Sequence, residues 1–199
     1  MGFGEVPGLL SGLEQFVALI QKWNPAINLI SRDSLAAVWS RHIGDSLQVF
    51  SVAPIDPKLW LDLGSGGGFP GAVVAMAARA QGLKTRFVLV EADQRKAAFL
   101  RTVSRETGAA FEVVADRIEG LAPQNADVVS ARALASLSDL CGYAVRHLAL
   151  GGTAIFPKGR GADHEVEEAR KTWRFDLARE PSLTDPDAKI LLLKGLRRG

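Results

Sequence analysis

The chain has one cysteine, one tyrosine and two methionines among its 199 residues, and almost no net charge. A single thiol, Cys141, excludes an intramolecular disulfide, and no cysteine–histidine cluster has zinc-finger spacing, so no metal site is expected. A formal charge of +2 excludes an overwhelming basic field for coating nucleic acid, while leaving room for a local basic patch. No apolar run is long enough for a membrane span; the stretch from Gly71 to Ala78 stops at Arg79. The N-terminus lacks the basic start and uninterrupted apolar core of a secretory signal, and a cytoplasmic location is expected. What remains is ordinary globular material: 47% hydrophobic and 23% charged residues, enough for one domain with a modest extension.

Two regimes divide the chain. Leu9, Leu10, Leu13, Phe16, Val17, Ile20 and Trp23 form a helical stripe that Asn24-Pro25 is expected to end, because a residue preceding proline is pushed out of the helical region. Ser31 to Phe50 reads as one or two further helices, with Leu35, Val38, Trp39, Ile43, Leu47 and Phe50 as core candidates. Pro54 and Pro57 bracket a linker. Beyond it, short apolar runs at Leu59–Leu63, Arg86–Val90, Phe111–Val114, Asp127–Ser130 and Thr153–Phe156 alternate with helical segments at Gly71–Ala80, Gln94–Thr107 and Leu134–Leu148. Alternation of this kind argues for a parallel sheet covered on both faces. Trp173–Leu177 and Lys189–Leu193 suit a terminal antiparallel pair. The expected architecture is α/β, with a helical cap over residues 1–57 and a doubly wound unit over residues 58–199, together one compact body.

The chemistry concentrates at the first strand–helix junction, Leu63 to Gly71, where Gly64, Gly66, Gly67, Gly68 and Gly71 allow tight turns and close approach of a ligand to the backbone. Ligands of open parallel sheets bind at the carboxyl ends of strands, where this junction falls. Gly66-Gly67-Gly68-Phe69-Pro70-Gly71 also fits the dinucleotide pattern G-x-G-x-x-G, but no lysine–hydroxyl pair completes a phosphate-binding P-loop. Two features favour S-adenosylmethionine over a dinucleotide. Asp62 directly precedes the loop and suits the positive end of a ligand, and Pro70 removes an amide that an anion site would use. Glu91 ends the second strand, where a carboxylate accepts hydrogen bonds from ribose hydroxyls in either class of enzyme. Asp116 and Glu119 have capping-box spacing, and the turn they would cap suits an adenine edge.

Around this loop lie Lys22-Trp23-Asn24, Asn28-Leu29, Arg41-His42-Ile43 and Asp45-Ser46, then Ser130-Ala131-Arg132-Ala133, Ala135-Ser136-Leu137 and Lys158-Gly159. In this order they resemble the bacterial small-subunit ribosomal RNA guanine-N7 methyltransferases, the glucose-inhibited division protein B family. The resemblance implies a Rossmann-like class I S-adenosylmethionine-dependent methyltransferase with an N-terminal helical extension. The implied target is a guanine in the 530 loop of 16S rRNA (nucleotide 527 in the family), with release of S-adenosylhomocysteine. The near-neutral net charge argues for a small-subunit assembly state over free RNA as the substrate, and a monomer is expected. Carried over by residue, Gly64, Gly66, Phe69, Glu91, Ile118 and Glu119 would hold the methyl donor. Arg132 would stand at the cofactor–substrate junction, with Arg117 and Lys158 around the reaction centre or the RNA. Arg41, His42, Lys158 and Arg197 are candidate RNA contacts. Three departures stand out: Gly67 replaces a usual proline or alanine, Ile30 a usual threonine, and Pro157 precedes the Lys-Gly pair, where it could redirect the loop carrying Lys158.

The chain lacks the Asn/Asp-Pro-Pro-aromatic run suited to exocyclic amines and a Pro-Cys pair for covalent attack on pyrimidines. Guanine N7 needs neither, because its lone pair is free at neutral pH, so direct in-line transfer without a general base is expected. A nicotinamide oxidoreductase would need a hydride-transfer partner site, and Tyr143, the sole tyrosine, sits in an expected helix. A non-catalytic RNA-binding protein with a retained nucleoside fold is the other alternative.

Overall fold

A computed structural model describes residues 6–199. The reading of the extreme N-terminus, and the first five residues of the expected cap, lie outside the described residues. Helix α1 (Leu9–Ile27) turns Leu9, Leu13, Phe16, Val17 and Ile20 inward and leaves Leu10 exposed. Contrary to expectation, it runs through Pro25 and ends at Asn28, which takes a left-handed conformation with φ 48°. Pro25 has no N–H to return to the Gln21 carbonyl, so the helix forfeits that bond, but it ends only two residues later, at Ile27. The turn is also fastened from beyond the proline: Asn28 N–H donates to the Asn24 carbonyl, and Ile30 N–H donates to the buried Asn24 Oδ1 at 2.9 Å.

The segment up to Phe50 forms three pieces. Helix α2 (Arg32–Ala36) is capped by Ser31, whose hydroxyl accepts from Ser34 N–H. A π-helical turn (Val38–Ile43) follows and leads into α3 (Gly44–Val52). Val38 and Ile43 are buried, Leu35, Leu47 and Phe50 pack partly against the core, and Trp39 is exposed.

Strands β1 (Leu59–Leu63), β2 (Arg86–Val90), β3 (Glu112–Val114), β4 (Ala126–Ala131) and β5 (Leu148–Lys158) are parallel. Strands β6 (Trp173–Pro181) and β7 (Lys189–Arg198) form the expected antiparallel pair, longer than the apolar runs suggest. Among the described residues the sheet order is β3-β2-β1-β4-β5-β7-β6. Strand side chains alternate between two layers. Trp60, Phe87, Leu89, Val128 and Ile155 face α1, α3, α4 (Gly71–Ala80) and α5 (Gln94–Thr107). Leu61, Leu63, Val88, Val129 and Phe156 face α6 (Leu137–His147) and α7 (Ala162–Arg170).

The apolar stretch at Gly71–Ala78 now has its explanation. It is buried throughout because α4 lies between the sheet and the N-terminal helices α1 and α3. The N-terminal helices therefore share one hydrophobic cluster with the sheet. Pro157 does not divert the chain: it pairs with Ile190 of β7, and β5 runs on through it to Lys158.

Candidate functional site

The order of strands reverses between β1 and β4, so their carboxyl ends open a crevice. The glycine loop enters it from β1. Gly64, Gly66 and Gly68 all have positive φ, and a Cβ on Gly64 would stand 2.6 Å from Leu134 Cδ1. A Cβ on Gly67 would meet the Leu29 carbonyl oxygen at 3.2 Å, so this loop and the end of α1 are closely fitted. Ser65 N–H donates to the Val90 carbonyl and ties the loop to β2.

Glu91 completes that tie. Its Oε2 accepts from Gly66 N–H and its Oε1 from Asp93 N–H, both at 2.8 Å. A carboxylate offers about four lone-pair sites, so each oxygen retains one, and the residue lines a cavity. Asp62 behaves differently from expectation. It is fully buried, and instead of lining the cavity it lies beneath the loop, its Oδ1 accepting from Ser130 Oγ at 2.6 Å. Trp60 Nε1 in turn donates to Ser130 Oγ, linking β1 and β4 at the switch point. Asp62 Oδ2 is buried without a hydrogen-bond partner and packs against Gly71 at the start of α4, where an added Cβ would stand 2.6 Å from it. Burial pushes the Asp62 carboxyl up to about 6, against the hydrogen bond from Ser130.

A cavity of about 730 Å³ opens above the loop. Gly64, Gly66, Phe69, Glu91, Arg117, Ile118, Glu119, His42 and Arg132, separated in sequence, all line it. The Phe69 ring is the hub of its floor. It packs on Phe16 at 5.2 Å, stacks with His42 at 4.8 Å, and carries the Arg132 guanidinium 5.2 Å from its centroid. Both His42 ring nitrogens are buried without a partner, and burial with Arg132 nearby pushes its pKa down to about 4, so the ring is neutral at pH 7. The expected Asp116–Glu119 capping box does not form. Asp116 Oδ1 accepts from Arg117 N–H, while Glu119 accepts from Tyr143 Oη at 2.9 Å, because Ile118–Gly120 is only one 3-10 turn.

A second cavity of about 540 Å³ adjoins the first, and Arg132, Ala133 and Leu134 line both. Arg41, Asp45, Lys158 and Lys189 are among its other walls. The π-helical turn thus sends neighbouring residues to different places, His42 to the first cavity and Arg41 to the second. The Lys158 ammonium is committed, donating to Glu165 Oε2 at 2.7 Å and the Ala135 carbonyl at 2.8 Å. Arg197 is not brought to the crevice. It stands near the far end of β7, whose opposite end, Lys189, pairs with Lys158. Lys194 lies between them, opposite Thr153.

Asp45 and the wall formed by Leu29, Ile30, Ser31 and Ser34 escaped the sequence reading of the site. For Asp45 the only signal was its place in the Asp45-Ser46 pair; the wall follows from α1 extending past Pro25.

A seven-stranded sheet of this order, with a glycine loop after β1 and an acid ending β2, is the Rossmann-like class I methyltransferase fold. A methyltransferase from Geobacter sulfurreducens shares it with a TM-score of 0.60 at 16% identity, over 92% of this chain and 88% of that one. An O-methyltransferase from Bacillus cereus, solved with S-adenosylhomocysteine, shares it with a TM-score of 0.58 at 15% identity, over 92% and 90%. Within that class, the profile of the rRNA small subunit methyltransferase G family matches residues 9–193. Ribosomal RNA small subunit methyltransferase G of Cereibacter sphaeroides is 55% identical over 184 residues, 92% of this chain and 89% of the relative. That of Ruegeria pomeroyi is 51% identical over 186 residues, 94% and 91%. The chain belongs to the rRNA small subunit methyltransferase G family.

Proposed function

We propose that the protein transfers a methyl group from S-adenosylmethionine to N7 of a guanine in the 530 loop of 16S rRNA, nucleotide 527 in the family, by direct in-line displacement. The observation that carries this reading is Arg132, which lines both cavities and, among the described residues, makes no hydrogen bond of its own.

The first cavity fits the donor. Glu91 retains lone pairs for two ribose hydroxyls, Ile118 offers an apolar wall for adenine, and the glycine loop admits close approach to its backbone. S-adenosylmethionine there supplies an electrophilic methyl on a sulfonium. The protein's own residues bind and align. Phe69 supports Arg132 by ring contact, and Arg132 orients the acceptor as a permanent cation rather than a base. Asp62 lies outside the cavity and Lys158 is held by Glu165, so neither is free to take a proton, and an N7 acceptor has none to give. Holding the reactants at attack distance is the main source of rate, worth up to ~7–11 kcal/mol in favourable cases. Arg117, exposed at the rim, and Arg41 suit phosphate contacts, while Lys158 shapes the wall near the acceptor.

The cap, residues 1–57, and the unit of residues 58–199 act as one body, and as a monomer, with the cap forming part of the RNA-facing surface. The substrate is a small-subunit assembly state in the bacterial cytoplasm, and no metal takes part. Mass mapping of 16S rRNA from cells with and without the gene tests the whole reading. The expected result is 7-methylguanine in the 530 loop only when the gene is present; an unchanged methylation map overturns it.

A further inference from the structure

The second cavity meets the first across Arg132, so a base held there lies against the methyl donor's site. Its volume of about 540 Å³ admits a purine nucleotide. Three acids line it, and two are ion-paired, Glu165 with Lys158 and Asp185 with Arg41. Glu165 Oε2 accepts from Lys158 and from Leu137 N–H, and Asp185 faces Arg41 and accepts from Asp187 N–H. Asp45, on α3, accepts from the Thr184 hydroxyl through Oδ1 only, which leaves Oδ2 uncommitted. Arg132 and Arg41 both act on this carboxylate electrostatically, while partial burial raises its pKa. It is a half-buried acceptor awaiting a donor.

Guanine presents N7 and O6 acceptors on one edge and N1–H and N2–H donors on the other. With N7 turned toward the methyl donor, O6 falls beside Arg132 and the donor edge faces away from it. We infer that the second cavity is a guanine-reading pocket, in which Arg132 donates to O6 and Asp45 accepts from N1–H and the N2 amine. Adenine is rejected at both ends, since its N6 amine faces the donating guanidinium and its N1 lone pair faces the carboxylate. Asp45 is therefore a specificity residue, and the assignment rests on a guanine acceptor.

The test compares kcat/KM on small subunits reconstituted with guanine or inosine at the target nucleotide. Inosine keeps N7, O6 and N1–H but lacks the N2 amine. The wild-type protein should favour guanine by about 10-fold, the loss expected for one hydrogen bond to a charged acceptor. Asp45→Ala and Asp45→Asn should methylate both RNAs equally, with calorimetric S-adenosylmethionine binding and melting temperature reporting that the fold persists. Thr184→Val removes the hydroxyl tie but keeps the carboxylate, and should keep the guanine preference. Full preference in both Asp45 variants overturns the proposal. So does loss of preference in Thr184→Val, which would mean that Asp45 only anchors the β6–β7 hairpin. A wild-type protein inert on both RNAs refutes the guanine acceptor itself, whereas equal wild-type activity on both refutes only the pocket.

Discussion

The two cavities share a wall but are built by different means. The first is organised by backbone: positive-φ glycines, amides gathered by Glu91, and a loop pinned to β2. The second is organised by side chains from α3, β5, α7 and the β6–β7 hairpin, where Gln48 grips the hairpin by donating to the Pro181 carbonyl and accepting from Leu183 N–H. A backbone-built site presents nearly the same surface whatever its neighbours do, which suits a constant small molecule. A side-chain-built site is tuned residue by residue, which suits recognition of one base in one RNA.

The sharpest way to probe this division is the residue that both cavities share. Arg132→Ala should lower single-turnover methylation by about 100-fold or more, the scale of losing a charge-orienting donor at a reacting centre, with the melting temperature little changed. Arg132→Lys should recover only part of the rate, because it lacks the planar fork. Unaltered single-turnover rates in Arg132→Ala would break the comparison at its hinge. Next in size, Glu91→Gln should weaken S-adenosylmethionine binding about 10-fold or more while leaving RNA affinity unchanged, since it cannot accept from both the Gly66 and Asp93 amides as a carboxylate does. Calorimetry and filter binding separate the two effects, and equal losses in both would erase the distinction between the sites.

The smallest effect concerns pH. The Asp62 carboxyl, raised to about 6 from an ordinary 3.8, binds its proton more tightly in the folded state, so its contribution to stability falls as pH rises from 3.8 to 6. His42, lowered to about 4 from 6.5, does the reverse: the unfolded state holds more protons between 4 and 6.5, and stability rises with pH. The two slopes, each at most about 1.4 kcal/mol per pH unit and the His42 one reduced by solvent screening, oppose each other. Denaturant titrations should find wild-type stability nearly flat from pH 4 to 6, His42→Asn falling and Asp62→Asn rising with pH. Parallel profiles for all three would show that these groups do not titrate as their surroundings dictate.

Much of the first cavity was legible because it is local. One contiguous glycine run and one strand-end acid sit at fixed offsets from alternating apolar runs, and Gln94–Thr107 and Gly71–Ala80 match their helices residue for residue. The role of Asp62 was not legible. Its place before the loop suggested a ligand contact, and only the fold reveals Ser130 and Trp60 closing over it. Pro25 misled because the bonds that fasten the turn beyond it, from Asn28 N–H and Ile30 N–H to Asn24, are local capping bonds that the proline rule does not weigh. The second cavity was nearly silent, since Arg41, Asp45, Lys158 and Lys189 come together only through the crossover topology and the antiparallel return of β7.

That return also orders events at the ribosome that makes the protein. Among the described residues, all that line the first cavity have been synthesised by Tyr143, whereas the second awaits Lys189 and Ile190 on β7. A nascent chain therefore holds all the described residues of the first cavity well before it holds those of the second.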